Sequence, residues 1–90
     1  MNIVYILVRS DNKIYTGFTK DLEERLKAHN SGSVVSTKPY RPLKLVHYEC
    51  YNLESDARRR ERFLKTTEGK RLLKQQIRDV LIKEGSHSLV

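Results

Sequence analysis

The chain has 90 residues, of which 38% are hydrophobic and 32% are charged. This length and balance predict one small, soluble globular domain with a single core. Lysine and arginine together number 18, against 11 aspartates and glutamates, for a net charge of +7. An excess of this size favours a polyanionic partner such as nucleic acid, although net charge can also serve solubility alone.

Two further features limit the location of the protein. Cys50 is the only cysteine, and a lone cysteine makes neither an internal disulfide nor a thiolate metal cluster. We therefore expect a reducing cytoplasm. The apolar run Ile3–Val8 is too short to span a bilayer and lacks the flanking signals of a signal peptide, so we expect no membrane partner.

The first third of the chain predicts a hairpin followed by a helix. Ile3–Val8 is a continuous run of β-branched and aromatic residues, typical of a strand buried on both faces, and Ile14–Phe18 is its predicted partner. Asp21 is the predicted N-cap of the helix, with Glu24 three residues later as in a capping box. The helix should end just before Gly32.

The middle of the chain predicts a loop, a strand and a helix. Ser31–Pro42 is rich in serine, glycine, proline and lysine, which indicates an exposed loop. Leu43–Tyr51 alternates as a third strand. Asn52 is the predicted cap of a second helix over Glu54–Lys65.

The last part of the chain predicts a third helix. Gly69 interrupts the pattern, and an apolar stripe then continues to a helix end near Gly85. Its members are Leu72, Leu73, Ile77, Val80 and Leu81. Ser86–Val90 is predicted to be a loose tail. The prediction is an α+β (broadly α/β) domain over residues 1–84, in the order β-β-α-β-α-α, with a C-terminal tail over 85–90.

The inward face of the first helix carries two polar residues. Leu22 and Leu26 mark the apolar stripe, and Arg25 and His29 lie on it at spacings of three and four. A buried charge is costly unless it is paired or serves a ligand. His29 also has an ordinary interpretation, because a histidine near a helix C-terminus interacts favourably with the helix dipole.

The second helix carries a comparable negative charge. Glu61 lies between Ala57 and Leu64 on the predicted inward stripe. One interpretation is a half-buried Arg25–Glu61 salt bridge that only holds the helices together, and the other is a functional site.

The length of the hairpin loop decides where Tyr5 and Tyr15 point. A two-residue turn would place the two side chains on opposite faces of the sheet. A three-residue loop would pair Tyr5 with Gly17 and place both tyrosines on one face, with Asn12 in the left-handed position. We expect the second arrangement, with Gly17 leaving open space beside Tyr5 where another backbone or a phosphate could approach. Taken alone, each tyrosine is more often an ordinary core residue than a site residue.

The ordered set of these segments resembles the GIY-YIG nuclease superfamily. The matching segments are Ile3-Val4-Tyr5, Tyr15-Thr16-Gly17, Arg25 with His29-Asn30-Ser31-Gly32, and Arg60-Glu61 with Leu64-Lys65. The resemblance is greatest to small standalone members akin to the N-terminal nuclease domain of the bacterial excision-repair nuclease. It implies a three-stranded antiparallel sheet flanked by helices and a phosphodiesterase that uses one divalent metal, Mg²⁺ or Mn²⁺.

The resemblance also implies a role for each matching residue. Tyr5 would be the general base or would orient the attacking water, and Tyr15 would be the second motif tyrosine. Arg25 would neutralise the scissile phosphate, and His29 would assist the base or hold phosphate. Glu61 would be the single metal-binding carboxylate.

Three departures accompany the resemblance. Ile3 stands where the motif has a glycine, and Thr16 stands where it has an isoleucine. Many members have an asparagine downstream of the glutamate; none follows Glu61 here, and Gln75 or Gln76 is the candidate substitute.

The remaining basic residues predict a surface that follows phosphates, although each alone could be an ordinary solvated residue. They are Lys38, Arg41, Arg58, Arg59, Arg62, Lys65, Lys70, Arg71 and Lys74. In the segment Ser36–Arg41, Thr37 and Tyr40 alternate with basic residues, which suits substrate contact. We name Gly17, Thr37, Lys38, Arg41 and Lys65 as substrate-binding candidates.

The function expected from these features is a metal-dependent endonuclease acting on DNA, in repair or in processing of structured DNA. RNA is a further candidate substrate, and a protein partner or a dimer is a candidate for targeting. A rival from another class is a non-catalytic nucleic-acid-binding module that keeps the fold. A third interpretation is a structural adaptor with no nucleic acid partner.

Overall fold

A computed structural model describes residues 1–84 of the chain. Within them, three strands form one antiparallel sheet in the order β2-β1-β3, which confirms the predicted α+β class and element order. The elements are β1 (Asn2–Val8), β2 (Ile14–Thr19), α1 (Leu22–Ser31), a short 3-10 helix (Lys38–Tyr40), β3 (Lys44–Tyr51), α2 (Glu54–Leu64), α3 (Thr67–Gln76) and α4 (Arg78–Lys83).

The hairpin between β1 and β2 has the predicted three-residue loop. The Arg9 backbone N–H donates to the Lys13 carbonyl at 2.8 Å, and Asn12 has a φ of 66°. Tyr5 consequently pairs with Gly17. Both tyrosines project from the same face, as predicted, because partners across a ladder share a face.

The central strand β1 is buried on both faces and divides the interior into two layers. One layer is packed by α2, α3 and α4 and contains Val4, Ile6, Val8, Ala57, Leu64, Leu73, Ile77 and Leu81. The other layer is packed by α1 and contains Ile3, Tyr5, Leu7 and Leu43, with Tyr15, Leu22, Leu26 and Leu45 partly buried against them. The helices that carry Arg25 and Glu61 therefore lie on opposite faces of the sheet.

The ends of α1 follow the predicted capping, whereas the start of α2 does not. Asp21 Oδ1 accepts from the Glu24 N–H at 3.1 Å, and Gly32 has a φ of 86° at the C-cap. The N-cap of α2 is Leu53, and no side chain caps it. The helix begins at Glu54 as predicted, but the capping role of Asn52 was wrong because the N-cap is the residue directly before the first helical residue, which is Leu53.

The predicted third helix is divided at Ile77, whose φ of −110° and ψ of 28° separate α3 from α4. Gly69 lies inside α3 and does not precede it. A Cβ at this position would lie 1.9 Å from the Phe63 carbonyl oxygen, so glycine permits the close packing of α3 on the end of α2. The helix end predicted near Gly85 and the tail Ser86–Val90 lie outside the described residues.

The segment between α1 and β3 is less exposed than predicted. Val34 and Thr37 are buried, and the 3-10 helix follows them. The Ser10 N–H donates to the Tyr40 carbonyl at 2.9 Å, and the Arg9 guanidinium stacks 3.5 Å from the centre of the Tyr40 ring. These contacts attach the segment to the hairpin. Among the described residues, no helix has the length and apolar character needed to cross a membrane.

Candidate active site

The centre of the candidate site is the hydroxyl of Tyr5, which is fully buried. It lies 2.8 Å from His29 Nε2 and accepts a hydrogen bond from Arg25 Nε at 3.3 Å. Arg25 and His29 are one turn apart on α1, so the helix brings both onto the same tyrosine. The predicted convergence of these three residues is therefore present.

Tyr15 forms the half-exposed side of this group. Its ring centre lies 6.4 Å from that of Tyr5 and 5.2 Å from that of His29, with the His29 contact edge-to-face. Arg25 is also half-exposed. Solvent and ligands therefore meet Tyr15 and Arg25 before they meet Tyr5.

Burial acts on the two innermost groups in opposite senses. It raises the pKa of Tyr5, and the hydrogen bond from Arg25 only partly opposes this. Burial and then the positive charge of Arg25 lower the pKa of His29. At neutral pH the resting pair is therefore a neutral phenol beside a neutral imidazole. Arg25 lowers the pKa of Tyr5, but its effect is weaker than that of burial.

Glu61 approaches the site from α2. Its carboxylate is near enough to Tyr5 for its negative charge to contribute to the raised pKa of that hydroxyl. Its side chain is 13% exposed, and its oxygens accept from Arg58 at 3.3 Å and from Lys65 at 3.2 Å. Among residues 1–84 no ion pair joins it to Arg25, so the Arg25–Glu61 bridge considered from the sequence is not formed.

The donor set around Glu61 fits only a metal that takes most of its ligands from elsewhere. Within the described part of the chain, no group of three or more His, Cys, Asp or Glu side chains is arranged to hold a metal ion. Mg²⁺ often binds through one or two carboxylates and keeps waters and substrate phosphates as its other ligands. One carboxylate beside a phosphate fits that mode, provided that Arg58 and Lys65 release its oxygens.

Gly17 serves a purpose other than the predicted one. A Cβ at this position would lie 2.4 Å from both the ring carbon Cζ and the hydroxyl of Tyr5. The predicted open space was wrong because the Tyr5 ring itself fills it. Gly17 is buried, and its missing side chain allows the phenol to lie across β2.

Thr37 is also placed differently from the prediction. It was expected to be exposed for substrate contact, but it is fully buried and its hydroxyl lies 2.8 Å from His29 Nδ1. The expectation failed because a turn folds Thr37 back under α1. Lys38, the first residue of the 3-10 helix, and Arg41, which follows that helix, are exposed, as is Lys65 beside Glu61.

The candidate substitutes for the motif asparagine lie elsewhere. Gln75 and Gln76 line a shallow surface pocket with Val46 and His47 of β3. Their position does not bring them to the Tyr5 group, because His47 pairs with Ile6 on the opposite face of the sheet.

Sequence reasoning missed a polar cluster that joins β3 to the helix of Glu61. Glu49 accepts from Arg60 at 2.9 and 3.2 Å and from the Tyr51 hydroxyl at 2.7 Å, and lies 2.9 Å from His47 Nε2. Burial alone would raise the pKa of Glu49, but these hydrogen bonds lower it to about 2. The available signal was the spacing of two between His47, Glu49 and Tyr51, which puts them on one strand face.

The fold and the site define a class: a small α+β domain in which two motif tyrosines, an arginine and a histidine meet on one sheet face. A family model described as the GIY-YIG catalytic domain matches residues 1–75. The chain belongs to the GIY-YIG family. The domain of this family is a nuclease fold, which implies a nucleic acid substrate.

Similar proteins agree with this assignment. The chain is 44% identical over 66 residues to a UPF0213 protein of Clostridium perfringens, covering 72% of this chain and 71% of that protein. It is 40% identical over 80 residues to a UPF0213 protein of Haloquadratum walsbyi, covering 86% and 90%. The solution NMR structure of a UPF0213 protein from Bacillus halodurans aligns over 83% of each chain, with a TM-score of 0.55 and 32% identity.

Proposed function

We propose that the protein is a divalent-metal-dependent endonuclease that hydrolyses phosphodiester bonds in DNA. The observation that supports this proposal is the Tyr5 hydroxyl held between Arg25 Nε and His29 Nε2. A purely structural tyrosine needs one hydrogen-bond partner, whereas this one has a guanidinium on one side and, on the other, an imidazole nitrogen of the kind that can accept a proton.

The contact with His29 gives the water a route for its proton. A free phenol with a pKa of about 10 is only ~0.1% ionised at pH 7, and burial raises the pKa of Tyr5 further. In the proposed step, the attacking water gives a proton to Tyr5 Oη while the proton of Tyr5 passes to His29 Nε2. The phenol is regenerated, the imidazole becomes the imidazolium, and no free phenolate forms.

Arg25 has two positions in this scheme. It now covers the Tyr5 hydroxyl, and it would turn its guanidinium to a bound scissile phosphate, where fixed donors stabilise the developing negative charge. That movement opens the hydroxyl to water. Lys38, Arg41 and Lys65 are the exposed residues that we expect to contact neighbouring phosphates.

Glu61 is the carboxylate that would hold Mg²⁺ or Mn²⁺. A bound divalent ion would supply Lewis-acid stabilisation of charge on the phosphate and the leaving oxygen. We place the activity in the cytoplasm, in repair or processing of structured DNA, with a protein partner or a second copy as the means of targeting.

The test is a cleavage panel. Branched, nicked, single-stranded and double-stranded DNA, and an RNA of the same sequence, are incubated with the protein in Mg²⁺, in Mn²⁺ and in EDTA. We expect metal-dependent cutting of DNA that Glu61→Ala abolishes. Glu54→Ala, which removes an exposed carboxylate of the same helix, is the matched control and should retain activity.

One observation favours a second candidate, a non-catalytic nucleic-acid-binding module. Both oxygens of Glu61 are already paired, to Arg58 and to Lys65. If these pairs persist with substrate bound, Glu61 holds no metal. Tight binding without cutting of any substrate in the panel would support the module and overturn the endonuclease.

A further inference from the structure

Three fully buried side chains from separate parts of the chain form one hydrogen-bonded row. Tyr5 comes from β1, His29 from α1, and Thr37 from the turn before the 3-10 helix. Both contacts of the imidazole are 2.8 Å, from Nε2 to Tyr5 Oη and from Nδ1 to Thr37 Oγ1. Thr37 Oγ1 in turn donates to the Val34 carbonyl at 3.4 Å.

The partners at the two ends of the row determine which atom donates in each of its hydrogen bonds. Arg25 Nε is a donor and occupies a lone pair of Tyr5 Oη, so the Tyr5 proton must find its acceptor elsewhere. Among the described residues, His29 Nε2 is the acceptor within reach. At the other end the Val34 carbonyl can only accept. Protons therefore point from Arg25 toward Val34 along the whole row.

The other tautomer of His29, with its proton on Nε2, leaves a buried donor without a partner. If His29 carried its proton on Nε2, that N–H would point at Tyr5 Oη, and the Tyr5 O–H would have no acceptor within residues 1–84. A buried donor without a partner loses its hydration with no compensation. The arrangement with the proton on Nδ1 satisfies every group, and it requires the oxygen of Thr37 as acceptor.

Backbone hydrogen bonds hold that oxygen in place. The Thr37 N–H and the Lys38 N–H both donate to the Val34 carbonyl, at 3.1 and 2.9 Å, and the Tyr40 N–H donates to the Thr37 carbonyl at 2.9 Å. The Thr37 hydroxyl is thus part of a closed turn rather than of a mobile side chain.

We propose that Thr37 is a positioning residue that keeps the His29 proton on Nδ1 and so leaves Nε2 free to accept a proton from Tyr5. Its effect on catalysis rests on the proposed function; its effect on the imidazole does not. An exposed threonine could not do this, because water would satisfy either tautomer of the histidine.

The first experiment needs no activity. Two-bond ¹H–¹⁵N correlation spectra of the ¹⁵N-labelled protein identify which ring nitrogen of His29 carries the proton. We expect the Nδ1–H form in the wild type and in Thr37→Ser, which keeps the hydroxyl. Thr37→Val, which keeps the volume but removes the acceptor of the Nδ1 proton, should lose this preference and show a measurable population of the Nε2–H form. An Nε2–H form in the wild type would overturn the proposal without any variant.

The second experiment measures cleavage by the same proteins on whichever DNA the panel identifies. Thr37→Val should lower kcat severalfold with KM within about twofold, because Nε2 is then free to accept a proton in only part of the molecules, and Thr37→Ser should keep a kcat near that of the wild type. The matched control is Thr67→Val, at an exposed position of α3, which should keep wild-type values. Wild-type kcat in Thr37→Val would overturn the positioning role. If the wild type cuts nothing, the proposed function fails and the spectra alone decide the inference.

Discussion

At the residue scale, Arg25 and Glu61 are partly buried charges, but neither belongs to a buried ion pair. Arg25 donates to a neutral phenol, and the partners of Glu61 are about half-exposed: Arg58 has 46% and Lys65 has 55% of its side chain accessible. Removing either charge therefore leaves no unpaired charge in the core. This separates the pair from a buried ion pair, whose disruption costs about 3–5 kcal/mol.

We expect Arg25→Ala and Glu61→Ala to unfold in urea with free energies within about 1 kcal/mol of the wild type. Binding to DNA without metal should weaken in Arg25→Ala, by about 1.5 kcal/mol or more, because a charge-assisted contact to phosphate is lost. It should persist in Glu61→Ala, because losing a negative charge does not weaken attraction to phosphate. Large losses of stability in both variants would assign these charges to the core and remove them from the site.

His29 sets the expected pH dependence of cleavage. Its pKa lies below the ordinary 6.5, first because of burial and then because of Arg25, so the imidazole stays able to accept a proton from neutral pH down to below 6.5. The acidic limb of kcat against pH should therefore lie below pH 6.5. This limb should be absent from the profile of His29→Ala. A rate that climbs continuously to above pH 10 would instead indicate that a Tyr5 phenolate is the base, because its pKa is raised.

At the level of secondary-structure elements, the cluster around Glu49 attaches the edge strand β3 to α2. Arg60 makes a two-point contact with the carboxylate, and Tyr51 and His47 complete it from the strand. Burial, and then the hydrogen bond to Glu49, raise the pKa of Tyr51 to about 12. Since Arg60 precedes Glu61 on the helix, the same contact holds the helix that presents the candidate metal carboxylate.

The Glu49 cluster predicts an acid-sensitive stability. The folded-state pKa of Glu49, about 2, lies below the ordinary 4.5, so its contribution is complete above about pH 4.5 and is lost as the pH falls toward 2. Glu49→Gln should be less stable than the wild type at pH 6, and the difference should shrink in urea titrations at successively lower pH. Glu23→Gln, at an exposed position of α1, should follow the wild-type curve. A constant difference between Glu49→Gln and the wild type at every pH would contradict the proposed contribution.

At the level of the whole molecule, the net charge of +7 predicts a salt-dependent attraction to nucleic acid. Arg25, Lys38, Arg41 and Lys65 are the four basic residues that we propose to contact phosphates. If each contacts one phosphate of a duplex, the logarithm of the binding constant should fall with the logarithm of salt with a slope of about −3.6. The expected loss between 50 and 200 mM salt is then about a hundredfold.

The measurement is fluorescence anisotropy with a labelled duplex in EDTA over this salt range. The double variant Lys38→Ala/Arg41→Ala should reduce the slope by about two. Lys27→Ala/Lys83→Ala has the same net charge but changes residues outside the proposed surface, and its slope should stay near the wild-type value. Equal slopes in the two double variants would show a diffuse charge effect, and no salt dependence at all would favour an adaptor without a nucleic acid partner.

Local features of this protein could be predicted from the sequence because neighbouring residues decide them. The three-residue hairpin loop follows from Asn12, which tolerates a positive φ, and it alone places Tyr5 and Tyr15 on one face. The ends of α1 follow from Asp21 and Gly32. The spacing of four between Arg25 and His29 already places both on one side of a helix.

The remaining features depend on contacts between residues far apart in the chain. Thr37 has the surroundings of a loop in sequence, and only the packing of its turn against α1 buries it beside His29. Gly17 and Tyr5 fill the same space only because the ring lies across the neighbouring strand. The hydrogen bonds of Glu49 come partly from a helix 11 residues later. Composition and periodicity indicate which faces are apolar. The packing of the elements then determines which buried polar atoms form hydrogen bonds with one another.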